Sequence, residues 1–203
     1  MSSLKFLLIS LGNQAPYYET FHSAGHHVLN ALQKLVGPTQ PSFTSTRIGK
    51  KASLASIGPK YMMVQSPTFM NTSGPWVAAT WKQVLQDHDA QNLALVLVHD
   101  ELEEAMGVVK TRPWNRSHRG HNGIKSVNAT LKHAEYPDSL WSRIGVGIGR
   151  PEGRDSRSVS DYVLGPMSKY QKSVIESKGA EGVLRCLDEL EKDWQARIGG
   201  STA

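Results

Sequence analysis

The chain has 203 residues, 39% of them hydrophobic, with 23 Lys and Arg against 18 Asp and Glu for a formal charge of +5. This length suffices for one sizeable domain that buries roughly 70% of its unfolded surface. The single cysteine excludes an internal disulfide framework, no stretch reaches the roughly 18 consecutive apolar residues of a membrane span, and the small positive balance is compatible with an anionic partner such as nucleic acid without pointing to one.

Met1 to Leu11 runs directly into a strand-like segment and reads as neither a secretion signal nor a transit peptide, so a cytoplasmic address is expected, with mitochondrial service left open. Lys5 to Leu11 is an apolar run of strand length ending at Gly12, the pattern of a buried central strand. Ser23 to Val36 carries Val28, Leu32 and Leu35 at helical spacing and stops at Gly37-Pro38. Ser42 to Arg47 and Ala52 to Ile57, joined around Gly49-Lys50-Lys51, read as a hairpin, and Tyr61 to Gln65 as a further strand stopped by Pro67. Thr72 or Ser73 can cap a helix with Pro75 in its first turn and an apolar stripe of Val77, Trp81, Val84 and Leu85. Leu93 to Val98 is the clearest buried strand; Val108 to Arg112 reads as a short strand, His121 to His133 as a helix, and Ile144 to Ile148 as a glycine-interrupted strand. A C-terminal helical region from about Ser168 to Arg197, interrupted at Gly179 to Gly182, holds Cys186 among Val183, Leu184, Leu187 and Leu190 at core spacing. With no internal repeat, linker or low-complexity segment, the expectation is a single α/β domain over residues 1–203, a mixed twisted β-sheet flanked by helices.

Four short polar blocks fall at the ends of these elements, where open α/β sheets gather functional residues. They are Gly12-Asn13 with Tyr17 and His22, then Thr68-Phe69-Met70-Asn71, then His99-Asp100-Glu101-Leu102, then Gly120-His121-Asn122-Gly123. Asn13, Asn71 and Asp100 each follow a predicted buried strand, which core packing alone does not ask for. Taken singly, Asn13 also reads as a turn residue and Asn71 as a helix cap. Together the blocks supply a histidine able to act as a base, an acid able to orient it, and three asparagines able to hold a carbonyl without adding charge. Such a set requires no metal, cofactor or activated nucleophile.

Among the eight histidines, His26 and His27 follow His22 on one helix and read as packing or surface residues, while His88 and His133 sit at polar helix ends. His118 and His121 share a loop with Arg116 and Arg119, where RNA contact and a structural role are both open. A zinc site would lack a cysteine partner and an i, i+4 histidine pair with a neighbouring acid. Lys110, Arg112, Arg116, Arg119 and Lys125 flank the Asn122 block, and Arg143, Arg150, Arg154 and Arg157 follow it. A solvated charged face is the ordinary reading of such a run. Here the cations surround the polar blocks, and Trp114 and Tyr136 can stack on a base or ribose, which favours contact with RNA phosphate.

In this order the blocks resemble the bacterial-type peptidyl-tRNA hydrolase family. The resemblance runs from Phe6 to about Met167 and includes Leu11-Gly12-Asn13, the Tyr17 to Gly25 stretch, Thr68 to Gly74, His99 to Leu102, Gly120 to Gly123, Gly147-Ile148-Gly149-Arg150-Pro151 and Tyr162-Val163-Leu164-Gly165. It implies hydrolysis of the ester between a nascent peptide and the terminal ribose of tRNA, with peptidyl-tRNA as partner and no cofactor, metal, membrane or protein partner, by a monomer. It implies a catalytic group of His22, Asp100, Asn13, Asn71 and Asn122. In that reading His22 activates water, Asp100 accepts a hydrogen bond from the far ring nitrogen, Asn13 and Asn71 donate to an oxyanion or to peptide backbone, and Asn122 positions the water or the ribose. Tyr17, Phe69, Asn71, Asn122 and His121 are implied around the substrate, and Arg112, Arg116, Arg119, Lys125, Arg143 and Arg150 against tRNA.

The chain departs from the family pattern beside these blocks. Asn115-Arg116-Ser117-His118-Arg119 stands where most members are glycine-rich, Gly145 where many have a second arginine, and Phe21 and Ser23 replace the more usual arginine and asparagine around His22. Two other readings are a catalytically silent RNA-binding relative acting in RNA processing, and an esterase or peptidase of small molecules. Retention of His22, Asp100 and all three asparagines argues against the first, and dependence on the tRNA moiety would exclude the second.

Overall fold

The computed structural model describes residues 4–200. Seven strands form one sheet in the order β2-β3-β4-β1-β5-β7-β6, where β1 is Lys5–Ser10, β2 Thr44–Ile48, β3 Lys51–Ile57, β4 Tyr61–Gln65, β5 Leu93–Glu101, β6 Val109–Pro113 and β7 Leu140–Gly147. The central four strands are parallel, with β1 between β4 and β5 and β7 beyond β5. The outer strands are antiparallel. The sheet is therefore mixed and α/β, as the sequence indicates.

Alternation along the central strands feeds two cores. Phe6 and Leu8 of β1 with Val96 and Val98 of β5 pack beneath α1 (Ala24–Val36) and α5 (Lys169–Gly200). Leu7 and Ile9 with Leu95 and Leu97 pack on the other face, beneath α2 (Ser73–Val84) and α3 (Asn122–Thr130). All eight side chains are fully buried. That two-sided burial accounts for the unbroken apolar runs. It also fixes register, because a one-residue slip would send each row into the wrong core.

Four expectations need correction. The hydrophobic run of β5 ends at Val98, yet the strand continues through His99, Asp100 and Glu101, because β7 offers a parallel partner as far as Asp100 opposite Val146 and Glu101 opposite Gly147. Helix α5 is continuous across Gly179 to Gly182. A Cβ on Gly179 would lie 2.7 Å from Val28 Cγ2, and one on Gly182 2.6 Å from Val109 Cβ, so these glycines mark close packing on α1 and β6 rather than a break. The α3 helix starts at Asn122 and ends at Thr130, shorter than the span to His133. A helix absent from the expected series, α4 (Ser156–Val163), is capped by the Asp155 carboxylate, which accepts from the amides of Arg157 and Ser158. Its signal is an Asp ahead of Val159, Tyr162 and Val163 at i, i+3, i+4 spacing.

Cys186 is buried and free, as its spacing indicates. Leu35, read as part of the α1 stripe, is 46% exposed.

Candidate active site

The parallel strands β4, β1 and β5 end on one edge, where the connection from β1 leaves toward the β2–β4 side and that from β4 crosses β1 to reach β5, the change of direction that opens a crevice at the carboxyl ends of strands. A cavity of about 860 Å³ lies there, lined by Asn13, His22, Asn71, Asp100, His121 and Asn122, with Tyr17 and Phe69 on its rim. They come from four separate segments of the sequence.

His22 occupies a single 3-10 turn, Phe21–Ser23, leading into α1. Phe21 stacks on Tyr162 at the end of α4 with ring centroids 4.7 Å apart, and the Ser23 hydroxyl donates to the Tyr17 carbonyl at 2.8 Å while accepting from the Asn13 amide at 3.0 Å. These contacts pin the turn and the loop after β1 together. Phe21 and Ser23 thus both have a use in positioning His22.

Asp100, 3% exposed, accepts from His22 Nδ1 at 2.9 and 3.0 Å through its two oxygens and from His121 Nε2 at 3.0 Å. An ionised carboxylate only accepts, so His22 carries its proton on Nδ1 and its Nε2 is left as a base. His121 is fixed in the complementary tautomer, because its Nδ1 accepts the Ile124 amide at 3.2 Å and caps α3. Burial is the largest influence on the His22 pKa and pulls it down, but the Asp100 charge and hydrogen bond outweigh it and raise the value. Burial likewise pushes the Asp100 carboxyl up, and the two histidines overcome it and hold it well below the usual carboxylate range. His22, Asp100 and His121 present ligand-type atoms within 4.8 Å of one another, and those atoms are already engaged with each other in hydrogen bonds.

The asparagines divide into two kinds. Asn13 is 4% exposed and its Oδ1 accepts the Met70 amide at 2.9 Å, which ties the loop after β1 to the turn after β4 and turns its NH₂ toward the cavity. It is therefore a turn residue and a presented donor at once. Asn71, in the 3-10 turn Met70–Thr72, and Asn122, the first residue of α3, are exposed to the cavity, and neither side-chain amide has a partner among the described residues. Thr72 holds the cap position of α2, so the cap reading of Asn71 does not stand.

The basic residues are less uniform than their clustering implies. Arg116, Arg119 and Lys125 are exposed, Arg119 with φ of 46° beside Gly120 at 87°. Arg143 is 2% exposed and donates through Nε and Nη2 to the Pro113 carbonyl and through Nη2 to that of Arg116, so the expectation that it grips phosphate is corrected: it fastens the β6 exit. Arg112 is paired with Glu101 and Glu104, and Arg150 with Glu103. Trp114 and Tyr136 are not stacking platforms. Both pack on Trp141, with centroids at 4.7 and 5.4 Å, Trp114 inside the second core and Tyr136, partly buried, against it. Arg154, one of the cations noted in the sequence, lines the cavity at the foot of α4, whereas Glu103 and the α4 residue Val159 are lining features that sequence spacing did not single out.

A buried carboxylate, a histidine with one free nitrogen, and donor amides around an open cavity define a site suited to acyl transfer to water. Comparison with known proteins is specific on this point. The peptidyl-tRNA hydrolase family profile matches residues 7–198, and the chain belongs to that family. A peptidyl-tRNA hydrolase of Anaeromyxobacter dehalogenans is 36% identical over 175 residues, covering 84% of this chain and 82% of that protein, and one of Corynebacterium diphtheriae is 31% identical over 193 residues, covering 92% and 95%. The crystal structure of peptidyl-tRNA hydrolase from Acinetobacter baumannii shares the fold, with a TM-score of 0.66 at 20% identity over 98% of this chain and 93% of that one.

Proposed function

We propose that the protein hydrolyses the ester between a peptide and the terminal ribose of tRNA, releasing both, with His22 as general base. The observation that carries the mechanism is the His22–Asp100 pair, which leaves His22 Nε2 free in a cavity ringed by three asparagine amides. Water on Nε2 gives up a proton as its oxygen attacks the ester carbonyl, and the Asn13 NH₂, with that of Asn71, donates to the oxyanion that forms. The tetrahedral intermediate collapses by breaking its bond to the ribose oxygen, which takes the proton back from the imidazolium. Asp100 stabilises that imidazolium throughout, and His121 holds Asp100. Neutral amides suit a substrate whose peptide varies, since they read the backbone every peptide shares.

Arg116 and Arg119, exposed on the cavity lining, and Lys125, exposed on α3, would meet tRNA phosphate in this reading. The site is complete within one copy of the chain, which supports a single-domain monomer. None of the helices among the described residues is long and apolar enough to cross a membrane, and the substrate places the enzyme where translation runs. A silent RNA-binding role is not favoured, because the base, its carboxylate and the donors are assembled rather than merely retained. Hydrolysis of N-acetyl-aminoacyl-tRNA by the wild type, strongly reduced in His22→Ala and absent with a small N-acetyl-aminoacyl ester, is the expected result; equal turnover of both substrates would leave a general esterase.

A further inference from the structure

Lys110 and Arg112 are two apart on β6 and so share one face of the sheet, opposite Gly145 and Arg143 of β7. Three cations on one face beside the active-site cavity would make a strong anion site, but Arg143 is held by backbone carbonyls, and carboxylates from the end of β5 and the turn after it already pair with the other two. Arg112 Nε donates to Glu101 Oε2 at 3.4 Å and its Nη2 to Glu104 Oε1, while Lys110 Nζ lies 2.8 Å from Glu104 Oε2. The Arg112, Glu101 and Glu104 side chains are only 11%, 12% and 14% exposed, so the Arg112 pairs are far less screened than a surface pair, whereas the Lys110 side chain is half exposed. Gly145 provides its seat: a Cβ there would come within 3.0 Å of Glu101 Cβ and 3.5 Å of its Oε2.

We propose that Glu104, with Glu101, is an affinity-setting counter-charge for the tRNA substrate, holding Arg112 and Lys110 in ion pairs that a backbone phosphate has to displace. This rests on the peptidyl-tRNA reading of the cavity. Affinity is then carried by the exposed Arg116, Arg119 and Lys125, and Arg112 contributes only after exchanging partners. The arrangement weakens the grip on tRNA as a whole. It leaves the His22 chemistry untouched, since Glu104 contacts none of the reacting groups.

The test is Glu104→Gln, which keeps the shape and an acceptor for Arg112 but removes the charge. Binding of deacylated tRNA by the full chain is measured by fluorescence at several salt concentrations, alongside steady-state hydrolysis of N-acetyl-aminoacyl-tRNA. Affinity at low salt should rise by about three- to tenfold, the effect of unmasking one partly buried cation. The slope of log affinity against log salt should steepen by roughly 0.7–0.9 for each further phosphate that the freed cations neutralise, with kcat unchanged. Unaltered affinity and slope would overturn the proposal, and so would weaker binding, which would make Glu104 a support that aims Arg112. Arg112→Gln covers the case of a poorly folded first variant: in the wild-type background it should alter the salt slope by less than either Arg116→Gln or Arg119→Gln, and an equal or larger change would reject the masking. If the wild type bound tRNA but hydrolysed nothing, the function would fail while the binding test still stood.

Discussion

On the sheet side of the cavity, His22 and Asp100 are buried and His121 is partly buried, both rings are hydrogen-bonded to Asp100, and each is held in a single tautomer. Across the opening, Arg116, Arg119 and Lys125 stand in solvent, and Arg112 and Arg150 are tied to glutamates. The same formal charges do different work in the two places. In the buried wall each interaction is strong, poorly screened and aimed at charge that develops during reaction; on the rim it is screened, and acts alike on bound substrate and transition state. The wall should therefore govern kcat and the rim KM.

The largest effect tests the wall. His22→Ala should lower kcat by between about 10² and 10⁴-fold, with KM for N-acetyl-aminoacyl-tRNA within a few-fold, because the ring acts in the transition state. Wild-type turnover in single-turnover assays would remove His22 from the mechanism. Asn13→Asp comes next. It preserves the acceptor for the Met70 amide but presents no donor to the oxyanion, so kcat should fall by roughly 10²-fold with the melting temperature nearly kept. Asn13→Ala, in contrast, also strands the Met70 amide and should lower stability by about 1–3 kcal/mol. Equal kcat for the wild type and the aspartate variant would reduce Asn13 to a turn residue.

A pH profile sharpens the comparison further. The base works only when neutral, and because the pair with Asp100 raises the His22 pKa above the ordinary 6.5, the acid limb of kcat/KM should have its midpoint above that value. Asp100→Asn leaves burial as the governing influence, so the midpoint should move down while the plateau also falls. Stability linked to His22 runs the opposite way: it is fully present below 6.5 and is lost as pH rises through the higher folded value. His26 and His99, both buried and lowered to about 3, instead lose stability as pH falls from 6.5 toward 3, because the unfolded chain takes up their protons first. An acid limb that stays in place in Asp100→Asn would break the coupling between the two residues.

The same contrast explains what the sequence disclosed. Buried strands and the site blocks announce themselves through uninterrupted apolar runs and short polar signatures, and spacing with resemblance is enough to bring Asp100, His22 and the asparagines to one cavity. The end of β5 is misjudged from sequence because hydrophobicity stops at Val98 while backbone pairing with β7 does not. The Gly179 to Gly182 stretch misleads for the reason glycine often does: the residue that breaks an isolated helix also permits close packing. Ion pairing is invisible for a different reason. Glu104 and Arg112 are eight apart, and only the turn from β5 into β6 brings them together. Arg143 and Trp114, equally, declare charge and aromaticity in the sequence but not the burial that removes them from the surface.

The smallest effect tests the rim. Arg116 and Arg119 are exposed on the loop between β6 and α3. If both meet phosphate, each interaction is made equally before and during reaction, so Arg116→Gln with Arg119→Gln should raise KM by about three- to tenfold and leave kcat unchanged, in line with the modest strength of exposed charge pairs. The slope of log affinity against log salt should flatten by roughly 1.4–1.8, the release of about two condensed counterions. Salt makes the discrimination that KM alone cannot, because a loop that merely shapes the opening would change KM at every ionic strength alike. A slope equal to that of the wild type would mean that this pair is a solvated face, leaving Arg150 and Arg154, exposed on the cavity lining, and Lys125 on α3 as the cations to test next.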